Sequence, residues 1–481
     1  MISKFLREQR RYTQKEICAV FECAEEEAIP LIGRLREFGV LKEAKAGEAQ
    51  QDLSELLDAD AGAADAEVPG DERVYAFTFV GVIVASGRVL KCYPKYLLKT
   101  EEPKEELLQV LKVLRKYSAK EQALAAFNDS DESQAFNLLA LLLYLTQDYY
   151  ENGIYKNTEK VVERNGPGEI SWDRTINDTL ALFLGDRPCY PELLTQRRVA
   201  DEYDYFSRLH RCVLTRASAE LRDADLLELF EIPEIDLSDE ELEDFGDKEY
   251  ILYRLEGELN TKFSTRKQLL LKALYAYVNR RSSLFDDDNF SFFGTSSFNL
   301  VWEKVCADIL GDQLHVSLGA LDLPVPLRSG YGQGTRLIDL IEKPLWTITG
   351  ESAKDTLIPD LVTITRTGAE HQFLIFDAKY YAARLEKGSP PKAQPGIESV
   401  AKQYLYQLAY QEFLNDHEIR SVKNCFLMPT EEDVILNKGQ VSLRMLKKLG
   451  LQDIEVRLLP AKEAYACYLA GASMDVALLK L

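Results

Sequence analysis

Two apolar, strand-like runs constrain this chain more than any other feature: Ile358-Pro359-Asp360-Leu361-Val362, and Phe373-Leu374-Ile375-Phe376-Asp377-Ala378-Lys379-Tyr380. Each carries charge at one end, and the polar turn Thr365-Arg366-Thr367-Gly368-Ala369-Glu370-His371 lies between them. If Gly368-Ala369 is a two-residue loop of the type that favours Gly first, Thr367 pairs with Glu370. Counting outward along the two strands sets Asp360 directly opposite Asp377. Opposed residues of an antiparallel pair share a face, with β-carbons about 4.5–5.5 Å apart. Alternation with period two adds Lys379 to that face and leaves Ala378 off it.

Two carboxylates held this close repel unless a cation sits between them. Mg²⁺ suits the site because it is hard, prefers oxygen ligands and keeps waters for chemistry, and Mn²⁺ is its substitute. Such an ion polarises a phosphodiester oxygen, lowers the pKa of an attacking water and stabilises the departing alkoxide. Lys379 would orient that water and offset charge on the phosphorus, and the carbonyl of Ala378 would complete the metal shell. Upstream, Phe298, Val301, Trp302 and Val305 mark a helix that carries Glu303. Downstream, Gln403, Tyr406, Gln407 and Tyr410 fall at i, i+3, i+4 and i+7, a single helical stripe. The competing reading is structural: the aspartates cap strand ends, Lys379 is their salt-bridge partner, Glu303 is a surface acid, and the stripe is a polar helix face.

The pattern resembles the PD-(D/E)xK nuclease superfamily, with Pro359-Asp360 as the PD and Asp377-Ala378-Lys379 as the D-x-K. The Gln–Tyr stripe is similar to that of its McrC-like and RecB-like branches. The resemblance implies that Asp360 and Asp377 are metal ligands and that Glu303 is one more acidic ligand. It also implies that Lys379 is the water-orienting cation, with Gln407 and Tyr410 as supports.

At roughly 100–200 residues per domain, 481 residues allow three or four domains. Acidic side chains outnumber basic ones by 79 to 58, giving a net charge of −21, which excludes a non-specific polyanion coat. Nucleic acid remains a substrate if the Lys and Arg are clustered, or if a partner supplies the grip. The eight cysteines are scattered without a CxxC, and the four histidines are well separated, so reduced thiols in a cytoplasmic protein are expected rather than a zinc site. The longest apolar run, Leu138–Leu145, is far short of the ~20 residues a membrane span needs.

Along the chain, Thr13-Gln14-Lys15-Glu16 has the form of a capping box. Ile17, Val20 and Phe21 fall at helical spacing, as do Ile29, Ile32, Leu35 and Phe38 in a second helix. Glu22-Cys23-Ala24 forms the turn between them, Gly39 the stop, and Val40-Leu41-Lys42 the start of a strand. This order suggests a winged helix-turn-helix, with Arg34 and Arg36 as its phosphate contacts; the alternative is a helical hairpin used for packing or dimerisation. Residues 44–72 are acidic and lack aromatic residues, the composition of a flexible linker. Val74–Val84 and Val89–Tyr93 read as a hairpin about Ala-Ser-Gly-Arg. Leu107–Tyr117, Phe136–Tyr149 and the neighbourhood of 201–230 read as helices, and the acidic run Glu234–Glu249 reads as a solvated loop. The basic pairs Arg197-Arg198, Arg280-Arg281 and Lys447-Lys448 are phosphate-contact candidates or solvated surface pairs. No GxxxxGK[ST] phosphate loop occurs in the sequence.

The segments Tyr12–Ile17, Phe38–Lys42, Phe79–Ile83, Lys91–Tyr96 and Gly168–Trp172 resemble the LlaJI family of restriction endonucleases, with a looser likeness to McrC. That resemblance implies the nuclease subunit of a restriction system acting on DNA, with an McrB-like AAA+ GTPase as a separate partner chain. The runner-up readings are a RecB-like repair or recombination nuclease and a non-catalytic DNA-binding scaffold. The expected fold class is multidomain α/β. It comprises an N-terminal winged helix (1–43), the linker (44–72), a mixed α+β middle region (73–250) and a C-terminal restriction-endonuclease-like nuclease domain (251–481). The middle region is the candidate docking part, though Phe79–Ile83 and Cys92–Tyr96 serve equally as core strands.

Overall fold

In a computed structural model of the chain, the residues described are 2–44, 74–118, 137–200, 204–280, 283–286, 289–368, 370–388 and 394–481. Nearly all of the expected linker, together with Phe136, Arg281 and Ala369, lies outside them. Contacts divide the chain into two units, Met1–Ala119 with Phe292–Leu481, and Lys120–Ser291. This division differs from the one expected at 73 and 250, because the strands after residue 73 pair with the first residues of the chain and with a strand near 290.

In the first unit, β1 (Ile2–Arg7) runs parallel to β6 (Arg88–Tyr93), and β6 forms a hairpin with β5 (Val80–Ala85). The hairpin loop is Ser86-Gly87, with φ of 47° and 71°, the left-handed pair that a two-residue loop of matching twist requires. Strand β7 (Phe290–Thr295) completes the order β1-β6-β5-β7. Where β5 and β7 meet, a β-carbon on Gly81 would fall 2.1 Å from the Phe293 carbonyl oxygen, and one on Gly294 2.2 Å from that of Val80. Only glycine permits this approach. Phe79, Val80, Val82, Ile83, Cys92, Tyr93 and Tyr96 are buried, as core strands require.

A second sheet has the order β2-β4-β3, from Arg11–Thr13, Val74–Phe77 and Leu41–Ala44, with helices α1 (Gln14–Phe21) and α2 (Glu25–Glu37) between β2 and β3. The capping box is formed: Thr13 N–H donates to Glu16 Oε2 at 2.7 Å, and Glu16 N–H to Thr13 Oγ1 at 3.3 Å. On α2 the buried stripe is Ala28, Leu31, Ile32 and Leu35, whereas Ile29 is 56% exposed. The expected stripe through Ile29 is thus displaced by one position, because Ala28, Leu31, Ile32 and Leu35 form the complete i, i+3, i+4, i+7 arc.

The C-terminal sheet of this unit has the order β8-β9-β10-β12-β11, from Leu361–Thr367, Glu370–Ala378, Ser421–Thr430, Ile454–Pro460 and Leu436–Val441. Strands β9, β10 and β12 are parallel, and both edge strands are antiparallel. Val362, Ile364, Phe373 and Ile375 share one cluster with Tyr406 and Tyr410, from and just after α5 (Ile397–Ala409). Helix α4 (Phe298–Ile309) buries Trp302, whose Nε1–H donates to the Leu427 carbonyl at 3.3 Å.

The second unit holds helices Leu138–Asn152, Tyr205–Asp223, Lys248–Leu259 and Thr265–Arg280, and a three-stranded sheet of Thr158–Arg164, Leu194–Ala200 and Glu169–Ile170. The acidic run is no simple solvated loop. Ile235, Leu242 and Phe245 are buried, and Glu240 and Glu241 pair with Arg208 and Arg216. Apolar anchors between the acids hold it down. Among the described residues no helix is long and apolar enough to cross a membrane.

Candidate active site

The hairpin that begins the C-terminal sheet has the register that its turn implies: Thr367 pairs with Glu370 and Leu361 with Phe376. One step further out are Asp360 and Asp377. Asp360 Oδ2 accepts the Ala378 N–H at 2.8 Å, so the backbone of one strand fixes the carboxylate of the other. Asp377 is 4% exposed, and Lys379 Nζ lies 3.2 Å from its Oδ1. Alternation puts Phe373, Ile375 and Asp377 on the face that meets α5.

Electrostatics mark this patch as strained. Burial pushes the Asp360 carboxyl well above the usual carboxylate range; repulsion from Asp377 and Glu303 adds to the shift, and Lys379 opposes it. Burial works against the Lys379 ammonium, yet Asp377 and Asp360 hold its pKa above the usual lysine value. One lysine therefore does not balance the acids, so a proton or another cation must make up the difference.

Glu303 lines a cleft of about 170 Å³ together with Ala378 and Lys379, which neighbour Asp377 in the chain. No group of three or more His, Cys, Asp or Glu side chains close enough to hold a metal ion occurs among the described residues. The oxygen donors brought together are therefore two carboxylates and the nearby backbone of Ala378, with Glu303 at the cleft wall. All are hard ligands, the kind that Mg²⁺ takes.

The glutamine–tyrosine stripe divides its labour. Gln403 is fully buried and donates from Nε2 to the Ile375 carbonyl at 2.9 Å, two residues before Asp377. Gln407 Oε1 accepts from Asn424 Nδ2 at 2.8 Å and from the Gln452 N–H at 2.9 Å, bracing α5 against β10 and the approach to β12. Tyr410 packs its ring on Phe373, with centroids 5.1 Å apart. Tyr406, not Tyr410, is the tyrosine whose hydroxyl senses the acids: burial, then Asp377 and Asp360, raises its pKa. The stripe identified the helix face but not which member lies in the field of the carboxylates. Of the basic pairs, Arg197 is bound to Glu163 and Lys447 to Asp453, at 2.9 and 2.7 Å.

Sequence reading missed the far wall of the cleft, which includes Glu8, Gln9, Thr78 and Lys95. Tyr380 Oη donates to Glu8 Oε2 at 2.6 Å, and the Lys95 N–H donates to the same oxygen at 3.3 Å. Glu8 follows β1 directly, and nothing local in the sequence marks it.

Comparison with known proteins defines the class first: this is a restriction-system protein of the endonuclease kind. The model of the LlaJI restriction endonuclease family matches residues 79–324 and 333–458, most of the chain, and the chain belongs to that family. It is similar to the type II restriction enzyme BsuMI component YdjA of Bacillus subtilis (strain 168), at 26% identity over 414 residues, which cover 83% of this chain and 82% of that protein. Among solved structures it is similar to a chain of a Thermococcus gammatolerans assembly of McrB AAA+ hexamers with bound McrC, at 12% identity and a TM-score of 0.39, covering 98% of this chain and 99% of that one. A chain of the Thermococcus gammatolerans McrBC complex matches over 63% of this chain and 85% of that one, at 13% identity and a TM-score of 0.25. Correspondence this loose carries no argument about a site or a partner.

Proposed function

We propose that this chain is the Mg²⁺-dependent DNA-cleaving subunit of its restriction system, hydrolysing phosphodiesters at a PD-(D/E)xK site. The observation that carries this reading is the facing pair Asp360 and Asp377, with Lys379, which lines the cleft, at 3.2 Å from Asp377. Asp360, Asp377 and the Ala378 carbonyl would hold the ion, with Glu303 as a further carboxylate from the wall. Bound there, Mg²⁺ supplies Lewis-acid activation of water and of the phosphodiester.

The chain's own residues do the rest. Lys379 keeps its proton and presents a fixed positive charge beside the acids, which offsets charge gathering on phosphate oxygens and orients the attacking water. The Ala378 N–H holds Asp360 in place, and Gln403 fixes the strand at Ile375. Gln407 and Tyr410 act at longer range, as supports of α5.

The same reading makes residues 1–43 a winged helix that contacts DNA. The two helices followed by the β2-β4-β3 sheet support it. It also assigns an McrB-like AAA+ GTPase to a separate chain, supported by the lack of a phosphate loop in these 481 residues. The test is cleavage of DNA by the full chain, with and without Mg²⁺ and with any GTPase that copurifies. Asp360→Ala, Asp377→Ala and Lys379→Ala are each expected to abolish it with folding intact; undiminished cutting by any of them defeats the assignment.

A further inference from the structure

Strand β9 ends at Ala378, and its pairing with β10 goes no further than Leu427, whose carbonyl accepts the Lys379 N–H at 2.8 Å. There the chain turns. The Lys379 carbonyl accepts the Tyr381 N–H at 3.1 Å, a tight three-residue turn centred on Tyr380. The direction in which the Lys379 side chain leaves the strand is therefore set by whatever fixes Tyr380.

Tyr380 is held from several sides. Its ring centroid lies 5.1 Å from that of Phe298 and 6.2 Å from that of Tyr96, and the Lys95 ammonium stands 4.7 Å from it. Its hydroxyl donates to Glu8 Oε2 at 2.6 Å, and the Lys95 N–H donates to the same oxygen at 3.3 Å. Packing places the ring, and a bond to a charged acceptor also fixes its reach and tilt. Glu8 is 5% exposed. Burial pushes its carboxyl up, while the Lys95 ammonium and the two hydrogen bonds pull it back, so the buried carboxylate has its counter-charge in place. Glu8 is itself pinned by the main chain: its N–H donates to the Tyr93 carbonyl at 2.9 Å, and the Gln9 N–H to that of Phe77 at 2.8 Å. The end of the first strand thus reaches, as a fixed element, the turn that follows Lys379.

We propose that Glu8 is a positioning residue for cleavage: its carboxylate anchors Tyr380, and that anchor aims the neighbouring Lys379 at Asp377. The inference rests on the nuclease reading of the D-x-K strand and adds to it a group from the other end of the sequence. Lys379 Nζ lies 3.2 Å from Asp377 Oδ1 while the next residue is locked to Glu8. A turn released from that lock would rotate and carry the ammonium off the acids. Displacing a reacting group by about 1 Å costs up to about a hundredfold in rate.

The test compares kcat and KM for Mg²⁺-dependent DNA cleavage by the full chain, with any GTPase that copurifies, against the urea midpoint of each variant. Tyr380→Phe keeps the ring and removes the hydroxyl, Glu8→Ala removes the acceptor, and Glu8→Gln keeps an acceptor oxygen at the same reach. The first two are each expected to lower kcat about tenfold with KM unchanged, and Glu8→Gln to recover most of that loss. Glu8→Ala with Tyr380→Phe should be no slower than either alone, because both break the same bond. Leu111→Ala, in the buried face of the helix Lys104–Ser118, isolates stability: a lower midpoint with wild-type kcat. Tyr380→Phe keeps its packed slot filled, so it decides the matter where Glu8→Ala does not fold. A wild-type kcat in Tyr380→Phe, or losses that add in the double variant, overturns the proposal and leaves Glu8 as a structural carboxylate. Cutting by Lys379→Ala at the wild-type rate sinks the nuclease reading instead, a result that no Glu8 or Tyr380 variant can produce.

Discussion

Each unit buries an aspartate, and the two are held in opposite ways. In the second unit, Asp148 is 5% exposed and is met by a fork of Arg266, Nε to Oδ1 at 2.9 Å and Nη2 to Oδ2 at 2.8 Å, with Asn152 adding a third donor at 3.0 Å. In the first, Asp377 is 4% exposed and has one lysine at 3.2 Å, with a second carboxylate facing it. Asp148 has donors on both oxygens and needs nothing further. The pair at the hairpin carries an excess of negative charge that the fold does not neutralise. Evenly matched buried charge is what a scaffold uses; a deficit of cations is what a site awaiting one shows.

The sharpest way to break this contrast is to remove one carboxylate from each place. Asp377→Asn should reduce Mg²⁺-dependent cleavage on the order of a thousandfold, measured on plasmid DNA, while leaving the denaturation midpoint near the wild-type value. Asp148→Ala strands Arg266 in a part-buried position and should destabilise its unit by about 3–5 kcal/mol in urea. If instead Asp377→Asn unfolds the protein and Asp148→Ala is silent, the roles are reversed and the contrast fails.

A third measurement probes the charge environment of Asp148 from the side. His210 is fully buried nearby, its Nδ1 accepts the Tyr155 N–H at 3.0 Å, and burial lowers its pKa to about 4. A base with a depressed folded pKa contributes stability that is present above its unfolded value of about 6.5 and is lost as pH falls through the folded one. The second unit should therefore weaken between about pH 6.5 and 4, by up to roughly 3 kcal/mol. His210→Asn should flatten that slope in thermal melts across the range.

The same contrast shows what could be read from sequence. The facing of Asp360 and Asp377 was legible because a short Gly-containing turn fixes register, and register fixes which side chains meet. The capping box at Thr13 was legible for the same local reason. Strand β1 was not, since Ile2–Arg7 pairs with Arg88–Tyr93, and no periodicity inside a short charged segment announces a partner so distant. The Glu8–Lys95–Tyr380 cluster joins residues 87 and 285 positions apart, a juxtaposition only tertiary structure creates. Within the Gln–Tyr stripe, helical spacing gave the face, but depth along the helix decided that Tyr406 lies in the field of the acids while Tyr410 packs on Phe373.

The smallest expected effect bears most directly on the charge deficit. Burial and Asp377 raise the Asp360 pKa in the folded chain. An acid shifted this way contributes stability that is full below its unfolded value near 3.9 and is lost as pH rises through the folded one. Metal-free protein should thus be less stable at pH 7 than an Asp360→Asn variant, because Asn still accepts the Ala378 N–H and brings no charge. Melts in a chelator would show the variant above wild type at pH 7 and level with it near pH 4. Adding Mg²⁺ should reverse the order, since only wild type gains RT ln(1 + [L]/Kd) from a bound ion. A variant that is less stable than wild type without metal would mean that Asp360 is as well satisfied as Asp148, and that the hairpin holds an ordinary structural pair.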